Sequence, residues 1–132
     1  TVISAPMNHA LQKGLSILVV EDNKINTLLI TKLLTKWGVE PECAENGITA
    51  VEKAALRKYD VILMDIHMPE MNGYDATRQI REKDNANFST PIYALTADIN
   101  ASTEKEYAGF FNGFLRKPIE VDQLYQTLSS IR

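Results

Sequence analysis

Four short apolar runs, separated by segments with helical periodicity, restrict most strongly what this chain can fold into. They span residues 17–20, 61–64 and 92–95, with a weaker run at 113–115. Polar residues hardly interrupt these runs, which is typical of parallel strands that are covered by helices on both faces. We therefore predict an α/β domain in which right-handed crossovers join five β-α repeats.

A further strand is predicted over residues 39–44, and it differs in character from the others. It alternates in polarity and contains Pro41, which a central strand does not accept because proline lacks a backbone donor. This strand belongs at a sheet edge, with Cys43 pointing inward as a small hydrophobe. An edge position favours the strand order 2-1-3-4-5 in a three-layer sandwich. Ligands then bind at the carboxyl ends of the strands, between the first and third strands.

Apolar stripes at helical spacing predict the helices between the strands. The stripes are Ile25, Leu28, Leu29, Leu33 and Trp37, then Ile48, Val51 and Ala55, and near the end of the chain Val121, Leu124, Tyr125 and Leu128. Two more helices are predicted, one near residues 73–83 and one from a capping box at Thr103 and Glu106 to Gly109. We expect the stripes to face the core rather than a cofactor.

The composition excludes several classes of protein. A chain of 132 residues, 45% of them hydrophobic, suffices for one domain with its own core. Its net charge of −3 argues against nucleic acid or an anionic membrane as the main partner. No apolar run approaches the roughly 18 residues of a membrane helix, so we expect no direct membrane contact and a cytoplasmic location. The single cysteine excludes an internal disulfide.

The chain divides into an expected tail and an expected folded domain. Residues 1–14 lack a sustained period and are predicted to be a linker, whereas residues 15–132 are predicted to form the domain. Because the chain starts without methionine, we expect it to be a piece of a longer protein.

Chemically distinctive residues follow four of the predicted strands. Glu21 and Asp22 follow the first strand, Asp65 the third, Thr96 the fourth and Lys117 the fifth. Carboxylates that share a site raise one another's pKa unless a cation intervenes, and oxygen ligands in an open site favour Mg²⁺, with Mn²⁺ as an alternative. A carboxylate beside such a metal can act as the nucleophile in phosphoryl transfer. Helix capping would explain one of the acids but not the whole set.

Four sequence blocks resemble the receiver domain of two-component response regulators. They are ILVVEDNKIN at 17–26, MDIHMPEMNG at 64–73, ALTA at 94–97 and KPI at 117–119. The resemblance extends over residues 15–131 and implies a flavodoxin-like (βα)5 fold. It further implies that Asp65 is the phosphoacceptor.

The resemblance also implies roles at the metal site. Asp65 and Asp22 would bind Mg²⁺ directly, Glu21 would bind it through water, and the backbone carbonyl of His67 would be a further ligand.

Other roles implied by the resemblance concern the phosphoryl group and the conformational switch. Lys117 would contact the phosphoryl group, and Pro118 would follow a cis peptide bond. Thr96 would hydrogen-bond a phosphoryl oxygen, and Phe114 would be the aromatic switch residue. The side-chain roles of His67 and Asp98, which border the phosphoryl position, stay open.

The motif variants resemble those of receivers fused to hybrid histidine kinases. The implied partner is a histidine kinase or a histidine phosphotransfer domain, and the implied state is a monomer or weak dimer. The alternatives are a stand-alone response regulator, a degenerate interaction module and an aspartate-nucleophile phosphatase. The last needs a second acid two residues after the nucleophile, where this chain has His67. Whether the domain counts as an enzyme, catalysing its own phosphorylation and dephosphorylation, is left open.

Overall fold

The computed structural model describes residues 14–82, 84–97 and 109–131. Five strands in these residues form one parallel sheet, and they are β1 (Ile17–Val20), β2 (Glu42–Ala44), β3 (Val61–Asp65), β4 (Ile92–Thr96) and β5 (Gly113–Arg116). Their order is β2-β1-β3-β4-β5. The predicted α/β fold and strand order are confirmed. The edge strand β2 is shorter than the predicted segment 39–44.

Helices cover both faces of the sheet. The described helices are α1 (Lys24–Lys36), α2 (Gly47–Leu56), α3 (Gly73–Ile80) and α4 (Val121–Ser129). None of these helices is long and apolar enough to span a membrane. The predicted helix that starts at Thr103 lies outside the described residues, except for Gly109, and so do Asp98 and residues 1–13 of the predicted linker.

Alternation along the strands divides the core into two layers. Ile17 and Val19 of β1 belong to a cluster with α1 and α4, whereas Leu18 and Val20 belong to a cluster with α2 and α3. This arrangement is the predicted three-layer sandwich. Trp37, at the end of α1, is buried in the first cluster, as predicted, and its ring meets a tyrosine of α4 edge to face at 5.0 Å.

The predicted core stripe of α1 is wrong for three of its residues. Ile25, Leu28 and Leu29 are 77%, 55% and 44% exposed. The helix instead buries Ile30 and Leu34. Apolar residues occupy more than one helical face in this segment, so the hydrophobic pattern does not specify which face the helix turns to the sheet. The packing decides the face.

The other two stripes need smaller corrections. In α2, Ile48 and Ala55 are exposed, and the buried positions are Gly47, Ala50 and Ala54. Small side chains at the buried positions let α2 pack closely, which places the inward face one residue away from the predicted stripe. In α4 only Val121 of the predicted stripe is exposed.

Candidate functional site

Three carboxylates meet at the carboxyl edge of the sheet. β1 and β3 are paired in parallel with Val20 opposite Met64, so the residues that follow in register are neighbours. Glu21, Asp22 and Asp65 each have a carboxylate oxygen within 4.8 Å of the others. Glu21 and Asp65 are 2% exposed, whereas Asp22 is exposed. Two acids of the cluster are therefore buried, and the third faces the solvent.

Lys117 brings a positive charge into this cluster. Its Nζ lies 2.9 Å from Asp65 Oδ1 and 3.2 Å from Glu21 Oε1. The backbone N–H of Lys117 donates a 2.8 Å hydrogen bond to the carbonyl of Thr96, which continues the pairing of β4 and β5. This hydrogen bond fixes the backbone position from which the lysine side chain extends. The peptide bond between Lys117 and Pro118 is cis.

The predicted hydroxyl residue, Thr96, lies on β4, and the predicted aromatic switch residue, Phe114, lies on β5. Thr96 is fully buried at the end of β4, one residue after the register partner of Asp65. Phe114 on β5 is half-buried, and its ring centroid lies 5.4 Å from that of Phe111. Phe111 in turn meets Tyr74 of α3 at 6.0 Å. The sequence analysis did not predict that Phe111 and Tyr74 pack next to Phe114. Their aromatic side chains were the signal that could have indicated it.

The loop after β3 closes directly beneath Asp65. Gly73, the first residue of α3, donates its N–H to the carbonyl of Ile66 at 2.8 Å. A Cβ atom on Gly73 would lie 2.2 Å from the Asp65 carbonyl oxygen, so only glycine allows this approach. His67, the second residue after Asp65, lies in this loop with an exposed side chain.

Burial and charge set the acidities in the cluster. Burial raises the pKa of Asp65 to about 7, and the charge of Glu21 adds to this rise, while Lys117 opposes it. For Lys117, burial acts to lower the pKa, but the hydrogen bond to Asp65 and the charges of Asp65 and Glu21 outweigh burial, so the pKa is raised. Protonated Lys117 is thus retained, and ionisation of Asp65 is costly.

The donor set fits a hard divalent cation. Three carboxylates against one ammonium leave an excess of two negative charges among these four groups. Glu21 Oε1 is buried, and the Lys117 ammonium lies 3.2 Å from it without the geometry of a hydrogen bond. Carboxylate oxygens in an open cluster are the ligands that Mg²⁺ prefers, and a divalent ion would balance the excess.

A groove of about 340 Å³ adjoins the cluster between α1 and the segment after β2. Asp22, Leu28 and Cys43 contribute to its walls. Leu28 belongs to the exposed apolar residues of α1, so this side of the site combines acidic and apolar surface. Cys43 is half-buried against the core, in agreement with its prediction as an inward-facing small residue.

Comparisons with known proteins agree on one family. The sequence model of the response regulator receiver domain matches residues 17–129. The autoinducer 2 sensor kinase/phosphatase LuxQ of Vibrio vulnificus is 38% identical over 117 residues, which cover 88% of this chain and 13% of LuxQ. The chain thus spans a small part of the length of this relative.

Solved structures give the same result. The receiver domain of a sensor histidine kinase from Pseudomonas aeruginosa, with a magnesium ion coordinated in its active-site cleft, is 37% identical and has a TM-score of 0.79, covering 89% of this chain and 97% of that one. The receiver domain of Saccharomyces cerevisiae Ssk1, co-crystallised with the histidine phosphotransfer protein Ypd1, is 27% identical with a TM-score of 0.77, covering 89% and 88%.

Proposed function

This chain belongs to the response regulator receiver domain family, and we propose that its Asp65 accepts a phosphoryl group from a phosphohistidine in a two-component phosphorelay. The observation that carries the proposal is the buried Asp65 carboxylate, which Lys117 contacts at 2.9 Å inside a cluster with excess negative charge. Such a carboxylate is a nucleophile already held beside the groups that would neutralise an incoming phosphoryl group.

The transfer exchanges one bond to phosphorus for another. A carboxylate oxygen of Asp65 attacks the phosphorus in line, and the P–N bond of the phosphohistidine breaks with its electron pair returning to the imidazole. Asp22, Asp65 and the His67 carbonyl would hold Mg²⁺ directly and Glu21 would hold it through water, and the bound ion would supply positive charge beside the phosphoryl oxygens. The observed acidic cluster and the magnesium in the Pseudomonas relative support this assignment, and Mn²⁺ is an alternative with the same ligand preference.

Lys117 and Thr96 respond to the new group. The ammonium of Lys117, which contacts Asp65 and Glu21 before transfer, pairs with a phosphoryl oxygen afterwards. Thr96 offers its hydroxyl to another phosphoryl oxygen, and Phe114 turns inward into the space that this shift creates. The backbone hydrogen bond between Lys117 and Thr96 supports a joint response of the two residues.

The partner we propose is a histidine phosphotransfer domain or a histidine kinase that docks on α1. Ile25, Leu28 and Leu29 expose apolar surface there, and the groove connects this surface to the acidic cluster. The pairing of Ssk1 with Ypd1 supports this class of partner. The similarity to LuxQ supports a sensor kinase as the parent protein, of which residues 15–132 would be the receiver domain. A location on the cytoplasmic side of the membrane and a monomeric or weakly dimeric state are part of the proposal.

Phosphoryl transfer from a labelled phosphotransfer protein tests the proposed function. In the presence of Mg²⁺ we expect the wild-type chain to take up one phosphoryl group as a base-labile acyl phosphate, and Asp65→Asn to take up none. Asp122→Asn, which changes an exposed aspartate of α4, is the matched control and should label like the wild type. Labelling of Asp65→Asn at the wild-type rate would refute the assignment, and sustained turnover of a generic phosphate ester would favour a phosphatase.

A further inference from the structure

Gly47, the first residue of α2, lies directly against the backbone of the loop that follows β3. A Cβ atom at position 47 would be 2.4 Å from the carbonyl oxygen of Met71 and 2.9 Å from Met71 Cβ and Cγ. Non-bonded atoms do not approach so closely. Gly47 is buried and does not have a positive φ, so the lack of space, rather than backbone freedom, requires glycine here.

Met71 ends a strained turn. Its N–H donates a 2.8 Å hydrogen bond to the carbonyl of Pro69. The residue between them, Glu70, has a φ of 67°, and the three residues form a γ-turn of the rare type with a positive central φ. A non-glycine residue in this conformation is strained and persists where its surroundings hold it. The contact with Gly47 constrains the backbone of the turn at Met71 in this way.

The same loop is held at its base by the contact described above. Gly73 donates to the carbonyl of Ile66 and lies against the carbonyl of Asp65. Residues 67–72 are therefore fixed at two places, at the base through Gly73 and at the turn through Gly47. His67 is the first residue of this fixed segment, directly after Ile66.

We infer that Gly47 is a positioning residue for the metal site. By allowing the Met71 carbonyl to lie against α2, it holds the 67–72 loop and, through it, the backbone carbonyl of His67. This inference rests on the proposed function, in which that carbonyl is a metal ligand. Gly47 itself touches neither the metal nor the phosphoryl group. It acts as the partners of metal ligands do elsewhere, by orienting a ligand that is otherwise free to move.

Replacement by alanine tests this role, with a glycine of the same chain as the control. Gly47→Ala should displace Met71 and weaken Mg²⁺ binding by about tenfold, the lower end of the range for residues that orient metal ligands. Gly109→Ala adds the same methyl group at a position where no heavy atom of the described residues lies within 4 Å, and its Mg²⁺ affinity should equal that of the wild type. Calorimetric titration of the metal-free proteins gives the affinities, and urea unfolding without Mg²⁺ gives the stabilities.

A merely structural role predicts a different result. In that case Gly47→Ala would change the free energy of unfolding while the folded protein kept the wild-type Mg²⁺ affinity, and the inference would be overturned. If Gly47→Ala does not fold, Met71→Ala decides the question, because it removes the Cγ part of this contact without adding a clash. A loss of Mg²⁺ affinity in the folded variant supports the inference, and an unchanged affinity overturns it.

Failure of the inference and failure of the proposed function give distinct outcomes. A wild-type chain that binds no Mg²⁺ and accepts no phosphoryl group contradicts the proposed function. A wild-type chain that does both, together with Gly47→Ala that binds Mg²⁺ equally well, contradicts the positioning role of Gly47 and leaves the proposed function standing.

Discussion

The two ends of the parallel strands use buried polar groups in opposite ways. We call the side of the sheet where the strands begin the amino edge and the side where they end the carboxyl edge. At the amino edge, Asn87 is fully buried, and its amide oxygen accepts hydrogen bonds from the backbone N–H of Tyr59 and the hydroxyl of Thr90. Its amide nitrogen donates to the carbonyls of Ala54 and Arg57. One side chain thereby joins the end of α2, the start of β3 and the segment before β4.

Arg81 performs a similar task beside it. Its guanidinium donates to the carbonyls of Phe110, Phe88 and Thr90 and to the side-chain oxygen of Asn112. Burial lowers its pKa, but an arginine side chain stays protonated in proteins. The polar groups of Asn87 and Arg81 at the amino edge are therefore satisfied by hydrogen bonds from within the chain.

The carboxyl edge leaves its polar groups unbalanced. Glu21 and Asp65 are buried, and Lys117, which contacts both carboxylates, compensates one charge of the cluster. The repulsion between the carboxylates at this edge is therefore relieved only when a ligand of positive charge binds. The comparison shows which edge stabilises the fold and which edge is arranged for binding, since functional sites commonly cost stability.

Asn87→Ala should produce the largest effect on stability. It removes the hydrogen bonds that the side chain of Asn87 makes to three backbone groups and to the Thr90 hydroxyl, so we expect the free energy of unfolding to fall by about 3 kcal/mol. Mg²⁺ affinity should not change, because the acidic cluster lies at the opposite edge. Urea unfolding and calorimetry check the two expectations, and a loss of stability below about 1 kcal/mol would contradict the role assigned to this amide.

A pH series isolates the charge held at the carboxyl edge. The pKa of Asp65 is about 7 in the fold against an ordinary value of 3.8, so the folded state binds the proton more tightly than the unfolded chain does. This stabilising contribution is present at low pH and is lost as the pH rises through about 7.

The matched variant for this series is Asp65→Asn. Between pH 4.5 and 7.5 we expect metal-free wild type to lose about 2 kcal/mol relative to Asp65→Asn, measured by urea unfolding with a chelator present. Equal pH profiles of the two proteins would show that Asp65 titrates normally.

Glu21→Gln should have opposite effects on stability and binding. Removing a buried like charge from the cluster should raise the free energy of unfolding of the metal-free protein by about 1 kcal/mol. The same change should weaken Mg²⁺ binding by about tenfold. Parallel unfolding and titration experiments measure both values. A variant that is less stable than the wild type would mean that the Glu21 charge is better compensated than the geometry indicates.

The smallest effect is expected at the solvent-facing part of the amino edge. Glu42 pairs with Arg57 there and accepts a hydrogen bond from Tyr59, but both members of the ion pair are partly exposed. Glu42→Gln keeps an acceptor for Tyr59 and should cost about 0.5 kcal/mol, because water screens such pairs. Thermal unfolding of this variant beside Asn87→Ala would show that buried amides, rather than surface charges, stabilise this edge.

Strand positions and their order were predictable because their signals are local. Uninterrupted apolar runs identify buried parallel strands, and Pro41 identifies the edge strand. The inward faces of α1 and α2 were less predictable. Ile25 and Leu28 are apolar and exposed, so hydrophobic spacing points to more than one face of the helix. A helix face that binds a partner can have the same apolar spacing as a face that packs against the core, so spacing alone does not distinguish the two.

The sequence by itself determined which chemical groups stand at the ends of the strands, since the order of residues along a strand assigns each group to an edge. Tertiary structure decided the 2.9 Å contact between Lys117 and Asp65, the raised pKa of that aspartate and the approach of Gly47 to Met71. These properties depend on segments that are distant in the chain, and burial and distance exist only once those segments are packed.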